Sequence, residues 1–497
     1  MLNPLYALSR LVSGAGLIKV TKDGKSLLDE MPLMHPTAAL IARQATAQDD
    51  MTGDGTTSSV LFTGELMTEA ERICQRGLHP SVLVEGIEKA REETLRFLDT
   101  LKQPLAEDQL IDVARTSLRT KVPQELADHL ANIVVKAVLT VRDPGNVNEL
   151  DLHMIEIMHM RHGSATDTRF VNGLVLDHGG RHPNMPKRME KVYVLSCNIV
   201  LEYEKTMVNS TMMYRNVEER QKLVAAERKF TDDKVNKIVK FKEEVLGKDA
   251  NLIVINQNGI DPVSLDILQK AGIVGLRRAK RRNLERLAKA CGGYPINSVD
   301  DLDKSCLGYV DLVYEHQLGD DVFTFVEGCK ADSKSCTILI NGPNDHTIAM
   351  IKAALRDGLR AVANAIFDQC VIPGAGMFEL LAYHNLNQYL AKANLAPKHK
   401  IGVRAFADAL LVIPKTLAQN SGFDAQTTVV ELLDATRDGT KAGIDCETGR
   451  AILPATLGIF DNYCVKKQFI ALGTMMCTNL LLVDEIMRAG RKMGGKE

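Results

Sequence analysis

The order in which sequence patterns follow one another constrains the fold of this chain more than any single motif does. Residues 36–101 and 350–488 show the apolar spacing of helices, whereas residues 181–331 alternate between strand-like and helix-like segments. Stretches of mixed pattern separate these blocks. Because helical, mixed, α/β, mixed and helical is a nested order, we expect the outer segments to fold together with the middle block inserted between them.

Local signals predict the elements within these blocks. Glycine and proline breaks divide residues 36–101 into three helices, with a loop over residues 49–56 and a second break at residues 77–80. The charged segment 206–248 keeps one apolar helical stripe, which predicts a long helix that projects into solvent. A hairpin is predicted near residues 443–458. Further strands are predicted over residues 154–160, 192–201, 252–255 and 273–276, and further helices over residues 264–270 and 283–290.

Composition excludes several classes of function. The 497 residues include 61 basic and 63 acidic side chains, and this balance argues against a bulk affinity for nucleic acid or for an anionic membrane. No apolar run approaches the roughly 18 residues that span a bilayer. Ten cysteines without a CxxC pair indicate reduced thiols in a cytosolic protein. The absence of tryptophan argues against a stacking platform for bases or sugars.

A Gly-Asp-Gly-Thr-Thr run, residues 53–57, lies immediately before a segment with helical apolar spacing. A helix N-terminus favours anions, and glycines allow the backbone to approach a ligand closely. The hydroxyls of Thr56 and Thr57 add donors, and the Asp54 carboxylate is suited to hold the Mg²⁺ that accompanies a nucleotide. The run therefore favours a phosphate and metal cradle. By itself it fits equally a Gly-Asp turn that caps an ordinary helix.

Further segments, in a fixed order, resemble the group II chaperonin family over about residues 11–490. The resemblance extends to the eukaryotic cytosolic branch of the family, TRiC/CCT. One subunit type of that branch is resembled by residues 48–50, 113–118, 277–282 and 461–467. The matching nucleotide elements are Lys22-Asp23-Gly24 in the family's TKDG turn, Gly53 to Thr57 in its GDGTT loop, Arg356-Asp357-Gly358, Pro373-Gly374-Ala375-Gly376, and Asp445 to Gly449 followed by Asp461.

The resemblance implies a multidomain α and α/β architecture with three domains. A helical equatorial ATP-binding domain would comprise residues 1–110 and 369–497, and a mixed intermediate hinge domain residues 111–180 and 332–368. An α/β apical substrate-binding domain would comprise residues 181–331, with the helical protrusion near residues 206–248.

The same resemblance assigns roles in binding and hydrolysing ATP with Mg²⁺. Asp54 would hold the metal, and Asp23 and Asp357 would orient or activate water beside the γ-phosphate. Without the family, Asp357 reads as a solvated helix charge, and the Pro373 to Gly376 segment as a structural turn. Ala375 replaces a family glycine: a methyl group there is tolerated if the backbone has negative φ, and the alternative is that it narrows the pocket. The expected nucleotide-binding residues are Gly24, Asp54, Gly55, Thr56, Thr57, Ser58, Gly374, Gly376, Asp445 and Asp461.

On the predicted apical helix over residues 283–290, four polar side chains would contact unfolded polypeptide from the exposed side. They are Asn283, Glu285, Arg286 and Lys289, and core packing explains the leucines between them equally well.

The start of the sequence departs from the family pattern. Group II subunits normally carry a longer N-terminal strand and helix ending in an LGPKG-type phosphate loop, and residues 1–10 occupy that place here. We therefore expect weakened or lost ATP binding, hydrolysis and ring incorporation. The function implied is that of a cytoplasmic subunit of a hetero-oligomeric double ring that binds unfolded polypeptides and folds them through ATP-driven lid closure. The alternative is a truncated isoform or paralogue that acts as a non-hydrolysing protein-interaction module.

Overall fold

The structure is a computed structural model that describes residues 9–12, 18–143, 150–202, 217–329 and 333–485. Its chain forms two compact units, residues 1–135 with 349–497 and residues 136–348. The first unit thus joins two distant parts of the sequence. The three-domain division stays a prediction. Residues 1–8, the beginning of the predicted protrusion at 206–216 and the apical boundary at 330–331 lie outside the described residues.

Helices dominate the first unit. Its core contains Phe62, whose ring meets Phe406 and Phe469 edge to face, with centroids 5.3 Å and 5.7 Å away. The helices that begin in or belong to this unit are α1 (Gly24–Glu30), α2 (Pro36–Thr52), α3 (Thr56–Gln75), α4 (Pro80–Thr100), α5 (Gln109–Leu118), α6 (Gln124–Val141), and, later in the chain, α11 (Met377–Lys392), α12 (Pro397–Leu410), α13 (Val412–Asn420), α14 (Ala425–Thr436) and α15 (Tyr463–Leu481).

A glycine pair allows α4 and α12 to pack with their backbones in contact. A Cβ atom on Gly86 would lie 2.5 Å from the His399 carbonyl oxygen and 2.9 Å from the Gly402 Cα. Larger residues at either position would push the two helices apart. The pair therefore fixes the centre of the helical core.

Short strands of the first unit bring distant loops to the same place. They are β1 (Ser9–Val12), β2 (Ile18–Thr21), β3 (Gln103–Pro104), β13 (Cys370–Pro373), β14 (Gly443–Ile444), β15 (Ala451–Ile452) and β16 (Phe460–Asn462). Strand β13 pairs antiparallel with β16, with Ile372 opposite Asp461 and Pro373 opposite Phe460. This register sets the glycine-containing turn after β13 beside Asp461.

The second unit contains most of the strands. Its elements are β4 (Ile155–Met160), β5 (Arg169–Val171), β6 (Gly173–Leu176), β7 (Arg188–Cys197), α7 (Val217–Phe241), β8 (Asn251–Asn256), α8 (Pro262–Lys270), β9 (Ile273–Leu276), α9 (Arg281–Cys291), β10 (Leu307–Leu318), β11 (Asp321–Glu327) and β12 (Cys336–Asn341), and α10 (Asp345–Asp368) begins here and continues into the first unit.

Among the described residues of the second unit, one sheet has the strand order β6-β11-β10-β7-β8-β9. Strands β7, β8 and β9 run parallel, and the remaining pairs are antiparallel. Helix α8 connects β8 to β9, as expected for a parallel crossover. The second half of α7 buries Val235 and Ile238 in the core of this sheet. Val217 at the N-terminus of α7 and Phe230 near its middle are exposed.

Most predicted elements are present with small shifts of their ends. The hairpin of β14 and β15 and the strand β9 lie where the sequence predicts them. The predicted loop at residues 49–56 is shorter, because α2 continues to Thr52 and ends at Gly53, whose φ is 74°. Within the described ranges, no helix combines the length and hydropathy needed to cross a membrane.

Candidate functional site

One cavity of the first unit collects residues from several separate stretches of sequence. Its wall includes the start of α1, the beginning of α3, the junction of α5 and α6, the turn before α11, and the segment from β16 into α15. Its polar and glycine lining includes Lys22, Asp23, Gly24, Asp49, Asp54, Gly55, Thr56, Thr57, Ser58, Thr116, Lys121, Gly376, Asp461 and Lys466.

The Gly-Asp-Gly turn connects the C-terminus of α2 to the N-terminus of α3. Gly53 and Gly55 adopt φ of 74° and 89°, and a Cβ atom on Gly53 would lie 2.5 Å from the Arg360 Cδ. The Gly55 amide donates to Asp54 Oδ1 at 2.7 Å, and the Thr52 hydroxyl donates to the Asp54 carbonyl at 3.0 Å. The turn therefore requires both glycines and holds Asp54 at the cavity wall.

Helix α3 points its N-terminus at the cavity. The first backbone amides of a helix have no intrahelical acceptor, and the cap residue Gly55 offers no side chain to satisfy them. Thr56, Thr57 and Ser58 supply these amides together with three hydroxyl groups, and all three residues line the cavity. The arrangement is suited to bind an anion such as a phosphate.

An ammonium group joins the two predicted catalytic carboxylates. Lys121, between α5 and α6, lies with its Nζ 3.5 Å from Asp23 Oδ1 and also forms an ion pair with Asp357. Asp23 caps α1 and accepts from the Ser26 hydroxyl at 2.9 Å. The structure thus brings Asp23 and Asp357 to one lysine, although Asp357 is not part of the cavity lining.

Opposing charges shift the acidities at this wall. Burial acts to raise the pKa of Asp23, but the Lys121 charge and hydrogen bonds from Ser26 and the Lys25 amide hold that pKa below its ordinary value. Burial and the nearby Asp23 charge raise the pKa of Asp49 despite the opposing charges of Lys25 and Lys121. Asp49 and Lys121 are both absent from the sequence-based site, because nothing in their local patterns separates them from ordinary surface charges.

The turn at residues 374–376 forms another part of the wall. Gly376 lines the cavity at φ 72° and precedes α11, whereas Gly374 lies behind Asp461 outside the lining. Ala375 has φ 57°, so the condition of a negative φ is not met, and the residue lines the cavity. Its carbonyl accepts a hydrogen bond from the Ile444 amide at 2.9 Å, and this contact fixes the left-handed conformation.

Asp445 has a different environment from the other predicted nucleotide residues. Its carboxylate accepts from the Glu447 amide at 3.0 Å and from the Thr448 hydroxyl at 2.6 Å, which closes the turn between β14 and β15. The next residue, Cys446, lines the cavity instead. Asp445 therefore shapes the turn behind the wall.

Two of the predicted polypeptide-binding residues are buried in the second unit. Arg286 is 8% exposed, donates from Nε to the His153 carbonyl at 2.8 Å and pairs with Glu156. Asn283 is 3% exposed and accepts from Arg286 at 3.2 Å. The exposure expected for Asn283 and Arg286 is therefore wrong, because Arg286 turns inward to a carboxylate. Glu285 and Lys289 are exposed as expected.

The site fits Mg²⁺ only as a partner of phosphate. Within the described parts of the chain, no group of three or more His, Cys, Asp or Glu side chains is arranged to hold a metal ion. Mg²⁺ commonly uses one or two carboxylates with phosphate oxygens and water. Asp54 beside the N-terminus of α3 provides one such carboxylate where a phosphate would bind.

The geometry agrees with comparisons to known proteins. The model of the TCP-1/cpn60 chaperonin family matches residues 8–491. The chain belongs to this family. It is 53% identical over 493 residues to T-complex protein 1 subunit zeta-2 of Homo sapiens, which covers 98% of this chain and 92% of the relative. The Mus musculus protein of the same name is 52% identical over the same share of both chains. These matches confirm the predicted chaperonin fold class and the resemblance to one subunit type, which is zeta.

Proposed function

We propose that this chaperonin subunit binds and hydrolyses ATP in the cavity of its first unit. The observation that carries the proposal is the meeting of a helix N-terminus with Asp54, Asp23 and Lys121 in one wall. Asp357 joins them through Lys121. Phosphoryl transfer requires mainly positioning and electrostatic stabilisation, and this wall offers groups for both.

The phosphates would lie against the beginning of α3. The amides and hydroxyls of Thr56, Thr57 and Ser58 would donate to phosphate oxygens, and the helix dipole would favour their negative charge. Bound Mg²⁺ would neutralise charge on the phosphates. Asp54 would be its ligand from this chain, since the tight glycine turn, in which the Gly55 amide donates to Oδ1, holds that carboxylate at the cavity wall.

The carboxylates of Asp23 and Asp357 would orient the attacking water. Attack on the γ-phosphorus breaks its bond to the oxygen that leaves with ADP, and one of these carboxylates accepts the proton that water gives up. Lys121 would keep Asp23 ionised, because its charge lowers the pKa of that carboxyl group. A positive charge at this point would also interact with the γ-phosphate.

The relatives suggest the cellular setting. Their name describes a subunit of T-complex protein 1, and we propose that this chain likewise assembles with other subunits in a hetero-oligomeric cytoplasmic ring that folds unfolded polypeptides. Similarity over 98% of the chain does not favour the alternative of a separate protein-interaction module. Glu285 and Lys289, the exposed pair on α9, are the residues that we propose to contact the polypeptide.

Substitutions of single carboxylates test this function. Asp54→Asn should weaken binding of Mg-ATP, whereas Asp357→Asn should preserve binding and slow single-turnover phosphate release by roughly 10²- to 10⁴-fold, the usual contribution of a proton-transfer group. Asp438→Asn changes an exposed carboxylate of the same unit and should alter neither. Calorimetric titration measures binding on the full chain, and phosphate release is measured in assembled rings. Normal release by Asp357→Asn would remove that residue from the mechanism.

A further inference from the structure

A chain of buried charges leads from the interior of the first unit to the cavity wall. Lys466 Nζ lies 2.7 Å from Glu379 Oε1 and 3.0 Å from Asp461 Oδ2. The Glu379 side chain is fully buried, the Lys466 side chain is 11% exposed, and the Asp461 side chain is 32% exposed. The three groups therefore form a graded series in which Glu379 lies outside the cavity lining, whereas Lys466 and Asp461 line the cavity.

The burial of this series needs an explanation, because removing charges from water is costly even when they are paired. Burial alone acts to lower the pKa of Lys466, yet the charges of Asp461 and Glu379 raise it well above its ordinary value. The lysine is thus held as an ammonium ion. A hydrophobic side chain of similar volume would fill the same space at lower cost, so packing by itself does not account for the arrangement.

The ammonium group connects two separate parts of the wall. Glu379 lies in the first turn of α11, directly after the turn at residues 374–376. Asp461 belongs to β16, and Lys466 lies in the first turn of α15 that follows it. Lys466 thereby fixes the turn and the strand to each other through side-chain charge, in addition to the pairing of β13 with β16.

The contact also restrains the orientation of the Asp461 carboxylate. Lys466 engages Oδ2, and a Cβ atom on Gly374 would lie 3.1 Å from Oδ1, so the carboxylate rests between the ammonium group and a bare glycine backbone. A carboxylate held in this way presents a fixed acceptor. A freely rotating one would lose orientational freedom on accepting a hydroxyl group, which weakens discrimination.

We propose that Glu379 and Lys466 are positioning residues that hold the Asp461 carboxylate to accept from a ribose hydroxyl, and that they thereby set the preference for ribonucleotides over 2′-deoxyribonucleotides. The inference rests on the proposed nucleotide-binding function. Glu379 lies outside the cavity lining, whereas Lys466 lines the cavity beside Asp461. Both act through Asp461, and their contribution is to sugar recognition and not to the phosphate end of the cavity.

The ratio of the dissociation constants for 2′-deoxy-ATP and ATP, measured by calorimetric titration of the full chain with Mg²⁺, tests the proposal. One hydrogen bond to a charged group predicts a ratio on the order of 10 to 100 for the unmodified chain. Asp461→Asn and Lys466→Met should each reduce the ratio to about 1 to 3, whereas Lys466→Arg should retain most of it because the charge is preserved. Lys467→Met, an exposed neighbour, should leave it unchanged.

A structural role alone would give a different pattern. Lys466→Met leaves Glu379 buried without a partner, so the double variant Glu379→Gln with Lys466→Met is measured as well, and thermal unfolding verifies that each chain is folded. A ratio that falls to about 1 to 3 in the folded double variant supports the proposal. A ratio that persists in the double variant but falls in Asp461→Asn overturns it.

Two further outcomes separate this proposal from the proposed function. A ratio that persists in Asp461→Asn also overturns the inference, while ATP binding by that variant leaves the nucleotide site standing. Failure of the unmodified chain to bind either nucleotide would refute both.

Discussion

Replacing Lys121 with methionine should remove the electrostatic centre of the candidate site. The Lys121 ammonium lies 3.5 Å from Asp23 Oδ1 and pairs with Asp357, and the three side chains are only 13–15% exposed. Methionine has a similar length and no charge, so the variant would leave two carboxylates close together without a cation. We expect the first unit to lose stability.

The burial of the partners sets the magnitude. Removing one partner of a buried ion pair costs about 3 to 5 kcal/mol, whereas an exposed pair contributes about 0.2 to 1 kcal/mol. Because the Lys121 cluster keeps some contact with solvent, we expect about 3 kcal/mol at pH 7. Lys102→Met is the control, since Lys102 pairs with Asp99 at 2.9 Å while 38% and 55% exposed. It should cost less than about 1 kcal/mol.

The pH dependence follows from the lowered pKa of Asp23. A carboxyl group with a lowered pKa in the folded state stabilises the fold above its ordinary value, here 3.8, and this contribution is lost as the pH falls through the lowered pKa. The stability that Asp23 contributes in the unmodified chain should therefore be nearly constant between pH 7 and pH 5, and it should be lost only below pH 3.8.

Hydrogen exchange monitored by mass spectrometry during urea titration provides the assay, because a chain of two units need not unfold in one step and exchange reports on α1 and α5 separately. Asp357→Asn added to Lys121→Met should recover about 1 to 2 kcal/mol, since one unpaired carboxylate is removed. If Lys121→Met costs no more than Lys102→Met at pH 7, the lysine does not stabilise the two carboxylates and the reasoning is refuted.

Three other substitutions and two fragments have expected outcomes. Asp49→Asn should stabilise the first unit against urea at pH 7, because burial and the Asp23 charge raise the pKa of Asp49 and penalise its ionised form. The gain in stability should fade as the pH drops toward 3.8. A loss of stability at pH 7 would contradict this reasoning. Arg286→Met should destabilise the second unit by about 3 kcal/mol in the same assay, because it leaves the Glu156 carboxylate without its ionic partner. Glu285→Ala should instead reduce capture of an unfolded polypeptide without loss of stability. The fragment 181–331 should melt cooperatively by circular dichroism, and the fragment 173–331 should melt at a higher temperature because it retains the edge strand β6; a featureless melt of both would contradict the separate α/β domain.

The features that could be predicted from sequence are those that a few neighbouring residues determine. The turn at Gly53 and Gly55 is an example, since a left-handed conformation before a helix leaves a direct glycine signal. The strand β9 and the hairpin of β14 and β15 likewise have local patterns of apolar and turn residues. The family motifs add Asp23 and Asp461, which the structure places at the same cavity.

Other features depend on partners that are distant in sequence. Arg286 reads as a solvated charge on α9, and only the folded second unit brings it to Glu156. The role of Lys121 likewise depends on its ion pairs with Asp23 and Asp357, which lie far away on either side of it in the sequence. The left-handed backbone of Ala375 has no local signal either, because alanine rarely adopts that conformation.

The composition of the first unit from two distant segments has a consequence during protein synthesis. Phe62 packs against Phe469, which leaves the ribosome about four hundred residues later, or roughly 20 to 80 seconds later at typical elongation rates. The residues of the second unit are contiguous, so its sheet has all its strands well before that moment. The apolar faces of α3 and α4 therefore remain exposed on the nascent chain until their partners, which are among the last residues to be made, have been synthesised. A chaperonin subunit therefore itself depends on the factors that protect nascent chains from aggregation.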